Sequence, residues 1–233
     1  MRTAAVLPVK RFSEAKQRLG ASVGEQRRLE LAPAMVADVL VALSQCELLE
    51  LTIVVTGEES AASAARALGA IAIEDTAESG QSAAALIGVR RALADGFQRV
   101  LCVPGDCPAL DPAELDRLLA PSASAAAGAD RPEVVIVPDR HGTGTNGLLL
   151  TPPDAIAPSF GPGSFERHRA LARSARASLR IERPPSLLLD IDTGSDLSAL
   201  RDRLSGDPLR APRTRAALGR HARTDVSFIS STG

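Results

Sequence analysis

The sequence predicts an α/β fold, a mainly parallel sheet with helices on both faces. Three observations carry this. Short apolar runs, Ala4–Val9, Leu51–Thr56, Ala70–Glu74 and Arg99–Pro104, alternate with helix-length segments, as parallel strands and their crossovers do. The runs are rich in Val, Ile, Leu and Ala, as in strands buried on both faces. Lys10, Asp106 and Asp192 fall where apolar runs end, and in open α/β sheets that is where ligands bind.

The elements follow in order. Ala4–Val9 is a buried first strand that stops at Lys10. Leu29, Ala32, Met35, Val36, Val39, Leu40 and Leu43 recur at helical spacing and predict a long helix over Ser22–Cys46, which Pro33 kinks or divides. Leu51–Thr56 is the second strand, Glu58–Leu68 a helix closed by Gly69, and Ala70–Glu74 the third strand. Gly80–Asp95 is an Ala-rich helix ending at Gly96. The fourth strand, Arg99–Pro104, runs into Gly105-Asp106-Cys107-Pro108, and Pro112–Leu119 is a helix that Asp111 caps. Ser122–Asp130 is low in complexity and reads as a mobile surface loop. Val134–Pro138 and Gly147–Thr151 are strands and Phe165–Ser174 a helix. Leu187–Asp192 reads as a last core strand, and Asp196–Leu204 as a helix capped by Ser195. From Asp207 onward, prolines, arginines and a Ser/Thr-rich end predict a mobile tail, leaving one domain over residues 1–206 and a tail over 207–233.

Composition narrows the function. The 233 residues are 45% hydrophobic, enough for a sizeable core, but only 2% aromatic, with no Trp or Tyr. A base or sugar cannot stack on those rings here, so recognition must use backbone and polar groups. A net charge of −1 argues against a nucleic-acid partner. Cys46, Cys102 and Cys107 form neither a CxxC pair nor a zinc spacing, which reads as a reduced, cytoplasmic protein. No apolar stretch approaches membrane-spanning length, and the first residues, interrupted by Pro8 and Lys10, do not read as a signal peptide.

The chemistry lies in loops. Lys10, Lys16 and Arg18 put cations after the first strand, where phosphate docks in such sheets. No Walker lysine motif and no GxGxxG is present, which disfavours a P-loop kinase or a simple dinucleotide dehydrogenase. Asp106 and the pair Asp190 and Asp192 follow apolar runs and suit Mg²⁺, which takes carboxylate, water and phosphate oxygens together. In an extended Asp190-Ile191-Asp192, only one carboxylate faces the metal directly; Asp192 is assigned there and Asp190 behind it. Thr143, Thr145 and Asn146 lie in a Gly-rich loop suited to an acidic or phosphorylated acceptor, and Ser164 opens a helix after Gly161 and Gly163. His141 and His168 read as structural or solvated, and no Ser-His-Asp constellation or GxSxG stands out.

At these residues the chain resembles the 2-phospho-L-lactate or phosphoenolpyruvate guanylyltransferases of deazaflavin coenzyme F-420 biosynthesis, from about Met1 to Leu204. The marks are Pro8-Val9-Lys10 with Lys16-Gln17-Arg18-Leu19, Pro104-Gly105-Asp106-Cys107-Pro108, Gly144-Thr145-Asn146, Phe160-Gly161-Pro162-Gly163-Ser164 and Asp190-Ile191-Asp192-Thr193. Each is weak alone; in order they are specific. The resemblance implies a Rossmann-like nucleotidyltransferase fold. It implies a reaction that joins GTP to 2-phospholactate, phosphoenolpyruvate or 3-phosphoglycerate and releases pyrophosphate. By the same resemblance Lys10, Lys16 and Arg18 stabilise the leaving group and Asp106, Asp190 and Asp192 hold Mg²⁺. Lys10, Gly80, Gln81, Ser82 and Gly105 then bind nucleotide, and Thr145, Asn146, Gly161 and Ser164 bind the acceptor. It leaves room for a homodimer and for hand-off of the product to a downstream deazaflavin transferase. The chain departs from the family at Gly80-Gln81-Ser82, written Gly-Leu-Asn there, which bears on base choice. It departs again at Cys107, where a bulkier residue such as Leu is expected; the smaller side chain is read as selecting the acceptor. Another nucleotidyltransferase or glycosyltransferase of this sheet type, or a non-catalytic nucleotide binder, is the competing reading.

Overall fold

The computed structural model describes residues 1–121 and 131–227, with side chains through 220; the expected loop over Ser122–Asp130 and the last residues of the expected tail lie outside the described residues. Strands β1 (Thr3–Val9), β2 (Leu51–Thr56), β3 (Ile71–Glu74), β4 (Arg99–Cys102), β5 (Glu133–Pro138), β6 (Thr145–Thr151) and β7 (Ser178–Ile181) form one sheet in the order β3-β2-β1-β4-β6-β5-β7. All its pairings are parallel except those of β6, which runs against β4 and β5. The chain winds outward from β1 through β2 to β3, then crosses back to β4 on the other side of β1. That reversal leaves a crevice beyond the carboxyl ends of β1 and β4.

Alternation along the strands builds two cores. Ala5, Leu7 and Val9 of β1, Val54 of β2, Leu101 of β4 and Leu149 of β6 face one side. There they meet Val36, Val39, Leu40 and Leu43 of α2 (Glu25–Ser44), Ala61 and Ala65 of α3 (Glu59–Ala67) and Leu115 and Leu119 of α5 (Pro112–Leu119). Ala4, Val6, Ile53, Val100, Cys102, Leu148 and Leu150 face the other side. There they meet Ala84, Ala85 and Val89 of α4 (Gln81–Ala94) and Phe165 and Ala172 of α6 (Ser164–Ser174). This period of two is what a strand buried on both faces dictates. Small residues let α4 approach closely: a Cβ at Gly88 would lie 2.4 Å from Val6 Cγ1.

Several elements differ from the sequence expectation. The long helix over Ser22–Cys46 is broken at Gly24, not at Pro33. Gly24 adopts φ 86°, ψ 153°, a conformation that glycine supplies, between α1 (Gln17–Val23) and α2. Pro33 sits inside α2. The fourth strand stops at Cys102. The edge strand β7 has no counterpart in the expected set; it is short and only partly buried. Leu187–Asp192 is not a strand. A single 3₁₀ turn (Pro185–Leu187) leads into an irregular segment that crosses the crevice outside the sheet. Its alternation is nevertheless real, since Leu187, Leu189 and Ile191 are buried. Thr193, not Ser195, caps α7 (Gly194–Ser205), in a reciprocal capping box with Asp196.

The expected mobile tail also folds in part. Helix α8 (Pro212–Ser227) packs Ala217 and Leu218 into a third apolar cluster with Leu31 and Met35 of α2 and Leu200 and Leu204 of α7. Asp38 of α2 is buried and its carboxylate accepts the Arg213 and Thr214 N–H groups at 3.2 and 2.7 Å, so one helix caps the next. Arg213 and Arg220, part of the composition that suggested disorder, are exposed on this helix. Asp38→Ala therefore removes a cap, and the urea midpoint should fall by roughly 1–2 kcal/mol of stability; an unchanged midpoint would mean that α8 is held otherwise.

Cys107 requires a further correction. Its side chain is fully buried among Leu7, Leu110 and Leu187, with Sγ 3.8 Å from the Leu187 carbonyl, and it does not face the crevice. The turn that presents Asp106 outward sends the next side chain into the core. Cys107→Leu should therefore overpack the core and cost about 1–3 kcal/mol in chemical denaturation.

Candidate active site

The crevice holds a cleft of about 790 Å³, ample for a nucleotide and a small acceptor. The loop between β1 and α1 forms one wall. Its shape is imposed by Arg28, which reaches back from α2 with its side chain 1% exposed. The guanidinium donates to the Phe12 carbonyl at 2.6 Å, the Ser13 carbonyl at 2.9 Å and the Ala15 carbonyl, and pairs with Glu25. Arg28 was not read as functional from the sequence, but a signal existed: it stands one turn before Leu31 and Ala32 on the buried face of α2.

The loop so held presents Lys10 and Lys16 to the cleft, and the first turn of α1 adds Arg18. Lys16 takes a left-handed conformation, φ 60°, just before α1. Its side chain is 11% exposed, and the ammonium bridges Asp106 and Asp192, the latter at 2.5 Å. Burial alone would lower the Lys16 pKa. The attraction of Asp106 and then Asp192 outweighs it and holds the ammonium charged well above the usual lysine range.

The carboxylates come from two irregular segments joined by a backbone hydrogen bond, Ile191 N–H to the Asp106 carbonyl at 3.0 Å. Asp106 and Asp192 meet at Lys16. Asp190 turns to Asn146, whose Nδ2 donates to Asp190 Oδ1 at 3.1 Å and to the Leu187 carbonyl at 3.0 Å. Burial, then the nearby Asp106 charge, raises the Asp190 pKa above the ordinary carboxylate range, against the Asn146 bond. Asp192 and Asp190 thus face different partners, Lys16 and Asn146, although the segment is not a strand. Among the described residues, no three His, Cys, Asp or Glu side chains form a ready-made metal cluster. Asp106 Oδ1, however, is buried with no hydrogen-bond partner.

The opposite wall carries the Gly/Thr loop and the start of α6. Asp139 gathers the first of these, accepting the Thr143 and Gly144 N–H groups at 2.9 Å each. Burial would raise its pKa, but those N–H groups lower it. Thr145, Asn146, Gly161 and Ser164 all line the cleft, and Gly161 has φ 104°, where a side chain is strained. Two cations not singled out in the sequence, Arg11 and Arg140, also line it; Arg11 pairs with Glu78 at 2.5 Å and Arg140 with Asp196.

Gly80, Gln81 and Gly105 line the cleft as expected for nucleotide binding, but Ser82 does not: its Oγ accepts the Phe160 N–H at 2.8 Å. A hydroxyl one residue into α4 is taken up by the neighbouring loop, so Ser82 is placed as a loop tether. No helix among the described residues is long and apolar enough to cross a membrane.

Residues 3–208 match the profile of the family described as guanylyl transferase CofC like. A phosphoenolpyruvate guanylyltransferase from Conexibacter woesei is 46% identical over 225 residues, covering 97% of this chain and 99% of the relative. Two solved structures share the fold. A protein of Desulfovibrio desulfuricans G20, described as a candidate nucleotide-diphospho-sugar transferase, aligns with a TM-score of 0.72 at 19% identity over 96% of both chains. A nucleotidyl transferase from Methanothermobacter thermautotroptrophicus aligns with 0.63 at 23%, over 87% of this chain and 97% of its own. With its sheet, its cleft and these relatives agreeing, the chain belongs to the CofC-like guanylyltransferase family.

Proposed function

We propose that this guanylyltransferase joins GTP to a phosphorylated three-carbon acid with release of pyrophosphate, in deazaflavin coenzyme F-420 biosynthesis. Phosphoenolpyruvate is the first choice of acid, ahead of 2-phospholactate and 3-phosphoglycerate, because a relative covering nearly the whole chain carries that name. The observation that carries the reading is the charge arrangement at the sheet's reversal point: Lys16 between Asp106 and Asp192, with Lys10 and Arg18 on the same wall.

The residues present fit Mg²⁺. Asp106 has a buried, unpartnered oxygen, the Asp192 side chain is 46% exposed, and Mg²⁺ is usually held by only one or two carboxylates with waters and phosphate oxygens. Asp106 and Asp192 would hold the ion, with Asp190 fixed behind them by Asn146. When bound, the ion neutralises triphosphate charge and orients the reacting phosphate.

The acceptor's phosphate oxygen forms a bond to the α-phosphorus of GTP, the α–β bridging bond breaks, and pyrophosphate leaves with its electron pair. Lys10, Lys16 and Arg18 stabilise the charge that gathers on pyrophosphate. A phosphate monoester is already anionic at neutral pH, so no side chain need accept a proton. Thr145, Gly161 and Ser164 cradle the acid, while Gly80, Gln81 and Gly105 face the nucleotide. GTP, Mg²⁺ and each acid, followed by coupled detection of pyrophosphate, test the reading; no release with any of the three overturns it.

Asp106→Asn and Asp192→Asn should each lower kcat by roughly a hundredfold or more, the scale for removing one charge-stabilising group, with far-UV circular dichroism unchanged. Near-wild-type kinetics in both variants would take these carboxylates out of the chemistry. Lys10→Ala should lower kcat/KM for GTP by about a hundredfold and leave the acceptor KM in place. A loss confined to the acceptor KM would put this cation on the other substrate.

A further inference from the structure

His168 is wholly buried in α6, and both ring nitrogens are engaged. Nε2 lies 2.8 Å from the Ser159 backbone nitrogen, and Nδ1 lies 3.0 Å from Thr145 Oγ1. A backbone N–H can only donate, so Nε2 must carry a lone pair and the ring's proton must sit on Nδ1. Nδ1–H therefore donates to Thr145 Oγ1. With His168 as the donor in that bond, the Thr145 hydroxyl proton is left to donate elsewhere; it has no acceptor among the described residues, and Thr145 lines the cleft. Burial, and after it the neighbouring Arg167 charge, brings the imidazole pKa down to about 4, so the ring stays neutral and the arrangement holds through physiological pH.

The rest of the shell fixes the ring. The Phe160 ring packs edge-on to it with centroids 5.3 Å apart. Arg167 donates to the Ser159 and Phe160 carbonyls at 3.1 Å each and to the Pro162 carbonyl at 2.5 Å. The Phe160 N–H is taken by Ser82 on α4. The segment that donates to His168 is therefore itself clamped, and the imidazole cannot turn over without losing a bond.

We propose that His168 is a positioning residue for the acceptor: its fixed Nδ1–H tautomer aims the Thr145 hydroxyl proton into the cleft at an anionic oxygen of the phosphorylated acid. The inference rests on the functional reading above and assigns His168 no proton transfer. It gives a role toward the cleft to a buried histidine that also accepts the Ser159 N–H.

Two variants separate the nitrogens. The amide nitrogen of Asn superposes on Nδ1, whereas the end of Gln reaches the place of Nε2. His168→Asn keeps the donor to Thr145, and its acceptor KM should stay within about threefold of wild type. His168→Gln keeps only the Ser159 side, and the phosphoenolpyruvate KM should rise about tenfold, the scale of one lost hydrogen bond to a charged group, with the GTP KM unchanged. Equal losses in both variants, or a loss in the GTP KM, overturn the assignment. Long-range ¹⁵N–¹H spectra of the histidine rings in the wild-type protein, which has three histidines, give a readout independent of variant folding. A neutral Nδ1–H ring for His168 at pH 7 supports the proposal; an Nε2–H tautomer or an imidazolium overturns it. Wild-type protein that releases no pyrophosphate with any of the three acids overturns the functional reading instead. Active wild type with the wrong tautomer overturns the His168 assignment alone.

Discussion

The site depends on one ammonium group placed between two carboxylates. Asp106 follows β4 and Asp192 precedes α7, and nothing in the regular structure brings the two together. Two carboxylates a few ångströms apart repel strongly where water is scarce, and a buried cation must recover its hydration from its partners. Lys16 meets both requirements, since three compact charges with net −1 replace a bare pair of anions. The Ile191 N–H bond to the Asp106 carbonyl holds the two segments in place beneath it.

That charge cluster could not be assembled on a continuous strand. Leu187–Asp192 alternates as a strand would, with Leu187, Leu189 and Ile191 buried, but β4 and β6, whose ends it meets, are already paired on both sides. Besides the Ile191 bond to the Asp106 carbonyl, the segment takes hydrogen bonds from side chains. Asn146 holds the Leu187 carbonyl and Asp190, Glu114 accepts the Ser186 N–H, and Asp196 accepts the Asp192 and Thr193 N–H groups. Each of these partners comes from a different part of the chain, so the irregular crossing is as determined as a ladder would be.

The same contrast explains what could be read beforehand. The sheet was legible because β1, β2 and β4 are largely buried and carry short apolar runs. The site's position was legible because charges end those runs. What escaped was set by partners distant in sequence. Gly24 breaks the helix where Pro33 was expected to, since a left-handed φ is invisible in periodicity. Cys107 looked like a site residue because it follows Asp106, yet successive side chains in that turn point to opposite sides, one into the cleft and one into the core. Ser82 looked like a base reader, but its hydroxyl is committed to Phe160. Helix α8 looked like a tail because its apolar stripe is narrow and its N-terminal cap, Asp38, lies on α2.

The distribution of cations follows the same logic. The chain has only two lysines, Lys10 and Lys16, and both line the cleft; every other side-chain cation apart from the histidines is arginine. Arginine is suited to holding loops, because five N–H donors in a rigid fork can satisfy several carbonyls at once. Arg28 does this for residues 12–15, Arg167 for residues 159–162 and Arg215 for the carbonyls of Leu204 and Asp207. A chain with few aromatic residues has few large side chains with which to prop loops by packing, and these forks supply the order instead. Lysine offers a compact charge on a flexible stem, a poor clamp for carbonyls but well matched to a narrow gap between carboxylates. Arg28 and Arg167, anchored outside the cleft, therefore fix loops of its two walls, while Lys16 sits inside it between Asp106 and Asp192.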